Sequence, residues 1–191
     1  MAKELHFDQV TTRAGDSGES SLFDGERRSK ADSVFEALGD LDELVSWLGV
    51  LRARRRDEWT GPLRDLDSEL HEVQTVLQQI SALIACTPGT AQYARLTPLH
   101  GDAVAELELR EARLLKVTHI EPVFVVPGAD EAAAELDYAR TLCRRAERRL
   151  VAVIRDPVRP RPDLHDSQHY VNRLSDFLFV AGRCAEQRVD G

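Results

Sequence analysis

Ala139–Arg149 reads A-R-T-L-C-R-R-A-E-R-R. Five arginines and one glutamate crowd this stretch of a chain whose formal net charge is −8. At about 3.6 residues per turn, Arg140, Arg144 and Glu147/Arg148 fall along one helical stripe. Leu136, Ala139, Cys143, Ala146 and Leu150 fall along a neighbouring apolar stripe, the pattern of a helix with one face in a core. The pattern begins near Asp130 and runs to about Arg155. There D-P-V-R-P-R-P-D, residues 156–163, cannot be helical. A cationic stripe beside a core stripe can face either water or an anion.

The same period recurs on both sides. Ala31 to about Arg55 carries Val34, Leu38, Leu41, Leu44/Val45, Leu48 and Leu51 on one face, with the acidic run Asp40-Leu41-Asp42-Glu43 on the same helix. After a break at Glu58–Pro62, a second helix covers roughly Leu63–Cys86, with Leu66, Leu70, Val73, Leu77, Ile80, Leu83 and Ile84 as its stripe. Thr87-Pro88-Gly89 stops it. A third is expected over about Pro98–Val117, with proline in the first turn. A fifth covers about Leu164–Val189, its core stripe being Val171, Leu174, Leu178 and Ala181, with Asn172, Ser175 and Phe179 on an adjacent face. Five helices, short connectors and no segment of strand period predict one all-α domain over 1–191, an antiparallel up-down bundle.

Two segments lie outside this period. Ile120–Gly128, I-E-P-V-F-V-V-P-G, is bracketed by prolines and reads as an extended connector; from its residues alone it reads best as a hydrophobic plug packed on the bundle. Residues 10–30 are polar and punctuated by Gly15, Gly18 and Gly25. They form either a loose terminus or a loop whose backbone N–H groups, with Arg13 and Lys30, wrap an anion. No G-x-x-x-x-G-K-[ST] is present.

Composition narrows the function. The 191 residues suit one domain with a full core, and the acidic balance argues against a general nucleic-acid binder. Cys86, Cys143 and Cys184 are odd in number, far apart and without metal-ligand spacing, so buried free thiols are expected. No apolar run approaches the roughly 20 residues that span a bilayer, and the N-terminal residues carry neither a signal core nor transit character, which predicts a cytoplasmic protein. The Glu-x-x-His pairs of a di-iron bundle are missing, since Glu69-Leu70-His71-Glu72 has the wrong spacing, so no intrinsic metal is expected. No local signature of a nucleophile triad appears either.

Two basic regions are left, Thr12–Lys30 and the arginine stripe. Arginine's planar fork suits phosphate and carboxylate oxygens. An i,i+4 arginine pair repels itself by roughly a few tenths of a kcal/mol unless an anion compensates. Asp40–Glu43, Glu147 or a polyphosphate could do so, and so could an exposed ion-pair network worth about 0–1 kcal/mol per pair. Composition does not choose between these.

Five ordered blocks carry a family resemblance. They are T-R-A-G-D-S-G-E-S-S (12–21), G-E-R-R-S-K (25–30), F-E-A-L-G-D-L-D-E-L (35–44), R-T-L-C-R-R-A-E-R-R (140–149) and N-R-L-S-D-F-L-F (172–179). The chain resembles the PduO-type ATP:cob(I)alamin (corrinoid) adenosyltransferases over about Val10 to Ala185. The resemblance implies a five-helix bundle with a four-helix core, ferritin- or cobalamin-adenosyltransferase-like, assembled as a homotrimer with sites between subunits. It implies transfer of the 5′-deoxyadenosyl group of ATP to the cobalt of reduced cobalamin, reached from four-coordinate cob(II)alamin, with Mg²⁺ assisting through ATP. A flavoprotein reductase and an adenosylcobalamin-dependent acceptor enzyme are the implied partners. The alternative is a nucleotide- and cobalamin-binding carrier without efficient turnover.

Carried onto matching positions, the resemblance implies ATP contacts from the 1–30 segment at Thr12, Arg13, Ala14, Gly15, Asp16, Gly18, Ser20, Ser21 and Lys30. From the 31–189 bundle it implies Arg144, Arg145, Glu147, Arg148 and Asn172. Arg140 is implied to pair with Asp42 across a subunit boundary beside the cobalamin, and Phe124 to pack on the lower corrin face. Arg144, Glu147 and Phe124 are the implied catalytic residues. Three positions depart from the family pattern: Ala129-Asp130 where a Gly-Gly pair is usual, Val45 where asparagine is common, and Ser20 for a frequent threonine. The nucleotide half therefore matches better than the corrinoid half.

Overall fold

The computed structural model describes residues 6–187. The last residues of the expected fifth helix, Arg188 and Val189, and the domain's first five residues lie outside them. A one-turn helix α1 (Phe7–Val10) precedes a hairpin of β1 (Glu19–Ser21) and β2 (Arg27–Ser29). Five long helices follow: α2 (Ser33–Arg55), α3 (Leu66–Ile84), α4 (Gly101–Leu115), α5 (Glu131–Ile154) and α6 (His165–Glu186). Short 3₁₀ turns at Gly61–Leu63, Tyr93–Arg95 and Pro162–Leu164 lead into the bundle's corners.

Caps set the starts of the two helices that matter most here. The Asp32 carboxylate accepts from Val34 N at 2.9 Å, and Asp130 accepts from Ala133 N at 2.9 Å. Each satisfies one of the donors a helix N-terminus leaves over. Asp130, one of the departures noted above, is thus the N-cap of the arginine helix.

Ion pairs fix the helix directions. Arg55 at the end of α2 meets Glu131 and Glu135 at the start of α5, while Arg52 meets Asp67 at the start of α3, so both neighbours run antiparallel to α2. Arg183 late in α6 meets Asp137 early in α5. Arg110 and Arg113 late in α4 meet Glu72 and Glu69 early in α3. The five helices therefore alternate up and down. The expected stripes fill the middle: Leu136, Ala139, Cys143, Ala146 and Leu150 are all fully buried, as are Leu41, Leu48, Leu70, Leu77 and Leu174. All three cysteines are free and buried.

Three expectations need correction. Strands are present: Ser20 pairs Arg28 in a short antiparallel hairpin turned at Gly25, whose φ of +90° suits glycine. Three-residue strands carry no readable period. The hairpin is fixed to the end of α3, where Asp24 accepts from Thr87 N at 2.6 Å and Thr87 Oγ1 donates to Glu26 at 2.8 Å. Second, α4 begins at Gly101 rather than Pro98. Leu99 is drawn into the core, and Gln79 Nε2 takes the Thr97 and Pro98 carbonyls at 2.9 and 3.3 Å, which holds that backbone out of a helix.

Third, Phe124 is no plug. Its side chain is fully exposed, and Val123 and Val126 are exposed beside it. The connector is tied down at Thr118, whose hydroxyl donates to Leu114 O, and at His119, whose N–H donates to Gln187. Pro122 and Pro127 supply no N–H to anchor the stretch between.

Candidate anion site on the arginine helix

The five arginines of Ala139–Arg149 separate by angle. Arg145 and Arg149 point toward α2: Arg145 pairs with Asp40 at 3.2 Å and with Glu43, and Arg149 pairs with Glu36 at 3.1 Å. The acidic run is thus a partner for the helix, apart from Asp42, which is exposed and has no ion pair among the described residues. Arg144 and Arg148 leave on the far side and are exposed. Arg148 donates to the Arg144 carbonyl at 3.0 Å; the Arg144 guanidinium has no ion pair among the described residues. So of its five arginines two are neutralised by α2, Arg140 pairs with Asp137 of its own helix, and two are kept outward. Arg145, expected beside Arg144 at the nucleotide, pairs with α2 in the single chain.

Glu147 faces α6, where Asn172 Nδ2 donates to it at 2.9 Å. Ser175 Oγ donates to the Asn172 carbonyl at 2.9 Å. Arg140 and Arg144 line one wall of a cavity of about 320 Å³ between α4, α5 and α6, with Glu111, Ser175, Asp176 and Phe179 on the others. Burial pushes the Glu111 carboxyl up, and the Asp176 charge adds to this while Arg173 opposes it. Arg140 does not reach Asp42 within one chain; its Nε donates to Asp137 at 3.4 Å.

The N-terminal half of the expected site is a compact loop. Asp16 N donates to Arg13 O at 3.3 Å, Gly18 N to Gly15 O at 3.2 Å, and Lys30 N to Gly18 O at 2.9 Å. Arg27 Nη2 holds the Ala14 carbonyl at 3.2 Å. Arg13 has φ of +56°, a left-handed conformation that costs a non-glycine residue about 1–2 kcal/mol. The Lys30 ammonium rests against Gly15: a Cβ there would lie 2.9 Å from Nζ. Thr12, Arg13, Ala14, Asp16, Gly18 and Lys30 are exposed, with Ser20 half-buried and Ser21 exposed on β1. No hydrogen bond or ion pair among the described residues joins this loop to Arg144, Glu147 or Arg148. The two halves are each formed and stand apart.

Sequence reasoning missed Asp137 and Arg183, a buried pair that meets Arg140 from beneath. The i,i+3 spacing of Asp137 and Arg140 was the only available signal. It also missed a cavity of about 410 Å³ behind the hairpin, lined by Glu26, Arg28, Thr87, Arg159 and Arg161 among others. Its charges neutralise one another, Glu26 serving Arg28 at 3.0 Å and Arg159 at 2.9 Å. All six histidines are exposed, and no group of three or more His, Cys, Asp or Glu able to hold a metal occurs among the described residues. No helix among them is long and apolar enough to cross a membrane.

Fold and site together define an alternating helical-bundle protein with an open cationic face suited to an anion. A family model described as cobalamin adenosyltransferase matches residues 10–185, and the chain belongs to that family, which makes it a transferase. Corrinoid adenosyltransferase MMAB of Mus musculus is 33% identical over 182 residues, covering 94% of this chain and 73% of that protein. A corrinoid adenosyltransferase of Citrobacter freundii is 36% identical over 183 residues, 95% of this chain and 97% of its own length. Among solved structures, a variant PduO-type ATP:corrinoid adenosyltransferase from Lactobacillus reuteri complexed with cobalamin and ATP superposes with a TM-score of 0.82 at 26% identity, over 95% of this chain and 92% of that one.

Proposed function

We propose that this chain transfers the 5′-deoxyadenosyl group of ATP to the cobalt of reduced cobalamin. The cobalt(I) electron pair forms the bond to C5′, the C5′–O bond breaks, and its electron pair leaves with triphosphate, so cobalt ends as cobalt(III). The nucleophile belongs to the substrate, which leaves the protein to supply position and charge. The observation that carries this reading is the division of the arginine helix: Arg145 and Arg149 are neutralised by α2, whereas Arg144 and Arg148 stay open on the face that matches the family's nucleotide run.

Arg144 and Arg148 bind the polyphosphate, charge-assisted and forked. Glu147, oriented by Asn172, accepts from the nucleoside. The loop Thr12–Gly18, with Ser20 and Ser21, offers N–H and hydroxyl donors, and Lys30 adds a phosphate contact. Mg²⁺ arrives on the triphosphate and screens its charge. Phe124, exposed on a connector with little else to hold it, packs on the corrin and keeps a lower ligand off cobalt; four-coordinate cob(II)alamin is then easier to reduce.

The separation of the two halves supports a site completed between subunits of a homotrimer, with Asp42 of one chain meeting Arg140 of the next. A flavoprotein reductase supplies the electron, an adenosylcobalamin-dependent enzyme takes the product, and the setting is the cytoplasm. The test is spectral: ATP and enzymatically or chemically reduced cobalamin are mixed with the protein and adenosylcobalamin is followed. Product formation at many turnovers supports the transferase; ATP and cobalamin bound without product would sink it and leave a carrier.

A further inference from the structure

We infer that Asp137 is a positioning residue: its carboxylate, locked from below by Arg183, aims Arg140 at the subunit seam. Asp137 and Arg183 are each only 4% exposed. Asp137 Oδ1 accepts from Arg140 Nε at 3.4 Å, and its Oδ2 accepts from Arg183 Nη2. Arg183 is fixed on two further sides, by Glu186 at 3.2 Å and by the Phe179 ring, whose centroid lies 5.3 Å from its Cζ.

Stability alone gives no reason for this arrangement. A buried ion pair contributes little over apolar residues of similar volume, because desolvation offsets attraction. Here the imbalance is visible, since Arg183 Nε and Nη1 are buried without a hydrogen-bond partner. What the pair does achieve is geometric. Glu186, Arg183, Asp137 and Arg140 form a chain of alternating charge that leads from the end of α6 to the outer face of α5. Its last member is held at Nε, which leaves both Nη groups of Arg140 outside the network, and neither has another ion pair among the described residues. Arg140 and Phe179, tied to opposite ends of the Asp137–Arg183 pair, line the same cavity as Arg144. One carboxylate therefore sets the relative position of a cation and an aromatic at the site.

The inference rests on the reading of Arg140 as the seam cation, and the experiment separates the two. In the full-length protein, Asp137→Asn keeps shape and removes charge. It is expected to raise the corrinoid KM roughly tenfold and to leave the KM for ATP within about twofold. Arg140→Ala should show the same defect, and the Asp137→Asn/Arg140→Ala double variant should be no worse than either alone, because both act through one guanidinium. A single substitution strands the Arg183 charge, so Asp137→Leu/Arg183→Met, which removes both charges, guards against loss of fold; it should fold and keep the corrinoid defect. Normal corrinoid KM in a folded Asp137 variant, with Arg140→Ala impaired, overturns the positioning role alone. Normal corrinoid KM in Arg140→Ala overturns the seam reading and this inference with it.

Discussion

Arg144 and Arg145 are adjacent in sequence and about 100° apart around a helix, and that angle decides what each side chain meets. Arg145 is shared by Asp40 and Glu43; Arg144 faces outward without an ion pair among the described residues. Arg144→Ala should therefore lower kcat/KM for ATP by roughly 10²-fold, the loss of a charge-assisted fork on a polyphosphate, measured in steady-state assays. Arg145→Ala should leave ATP kinetics within a few fold and change stability by only about 0–1 kcal/mol, since the side chain is partly exposed. A reversed order would exchange their roles. Phe124→Ala should leave the thermal midpoint and ATP use unchanged, because the ring buries nothing in the single chain, and should slow the reaction started from cobalt(II). Unchanged rates from that state would reduce Phe124 to surface. The stripe containing Arg144 was legible in the sequence because periodicity is local. Which of two adjacent arginines was open was not legible, because that depends on what α2 offers across the bundle.

At the scale of elements, the long helices were legible and the pieces that decorate them were not. A stripe such as Leu66 to Ile84 repeats often enough to declare its period, whereas Glu19–Ser21 has three residues and no period to show. The start of α4 was missed because it is set by Gln79, a residue of α3, and by the core's hold on Leu99. The hairpin's attachment is electrostatic and makes its own prediction. Burial pushes the Asp24 carboxyl up, but the N–H groups of Thr87 and Glu26 outweigh it and hold the group below its ordinary value. Arg28 and Thr87 hold Glu26 low in the same way. At Asp163 burial again acts upward and is outweighed by Arg161 and Tyr93. A carboxylate lowered in the folded state contributes stability that is present above its unfolded pKa, near 4, and is lost as pH falls below about that value. Asp24→Asn should thus cost about 1 kcal/mol at neutral pH, where a neutral acceptor replaces a charged one, and the cost should shrink as pH falls below about 4. Thermal midpoints measured across pH for the two proteins check this; a constant difference would remove titration from the account.

For the whole molecule, the decisive feature is that two formed half-sites do not meet within one chain. The loop over Gly15 with Lys30 is built on the hairpin before α2, and Arg144 with Arg148 projects from the side of α5 that α2 does not cover. Asp42 is likewise exposed and unpaired among the described residues while its neighbours Asp40 and Glu43 are engaged. No periodicity in a single sequence reports such a gap, because it depends on how separate elements are placed, and under the proposed function the missing surface would come from another copy. In a closed ring every seam is equivalent, so each would join the loop of one chain to the arginine face of the next. This gives a test that does not depend on seeing the assembly. Lys30→Ala and Arg144→Ala should each be nearly inactive alone. Mixed at equal amounts through unfolding and reassembly, or co-expressed, they should recover roughly a quarter of wild-type activity, since a random seam receives an intact loop and an intact arginine face with that probability. If each site were built from one chain, every site in the mixture would carry a lesion and no activity would return.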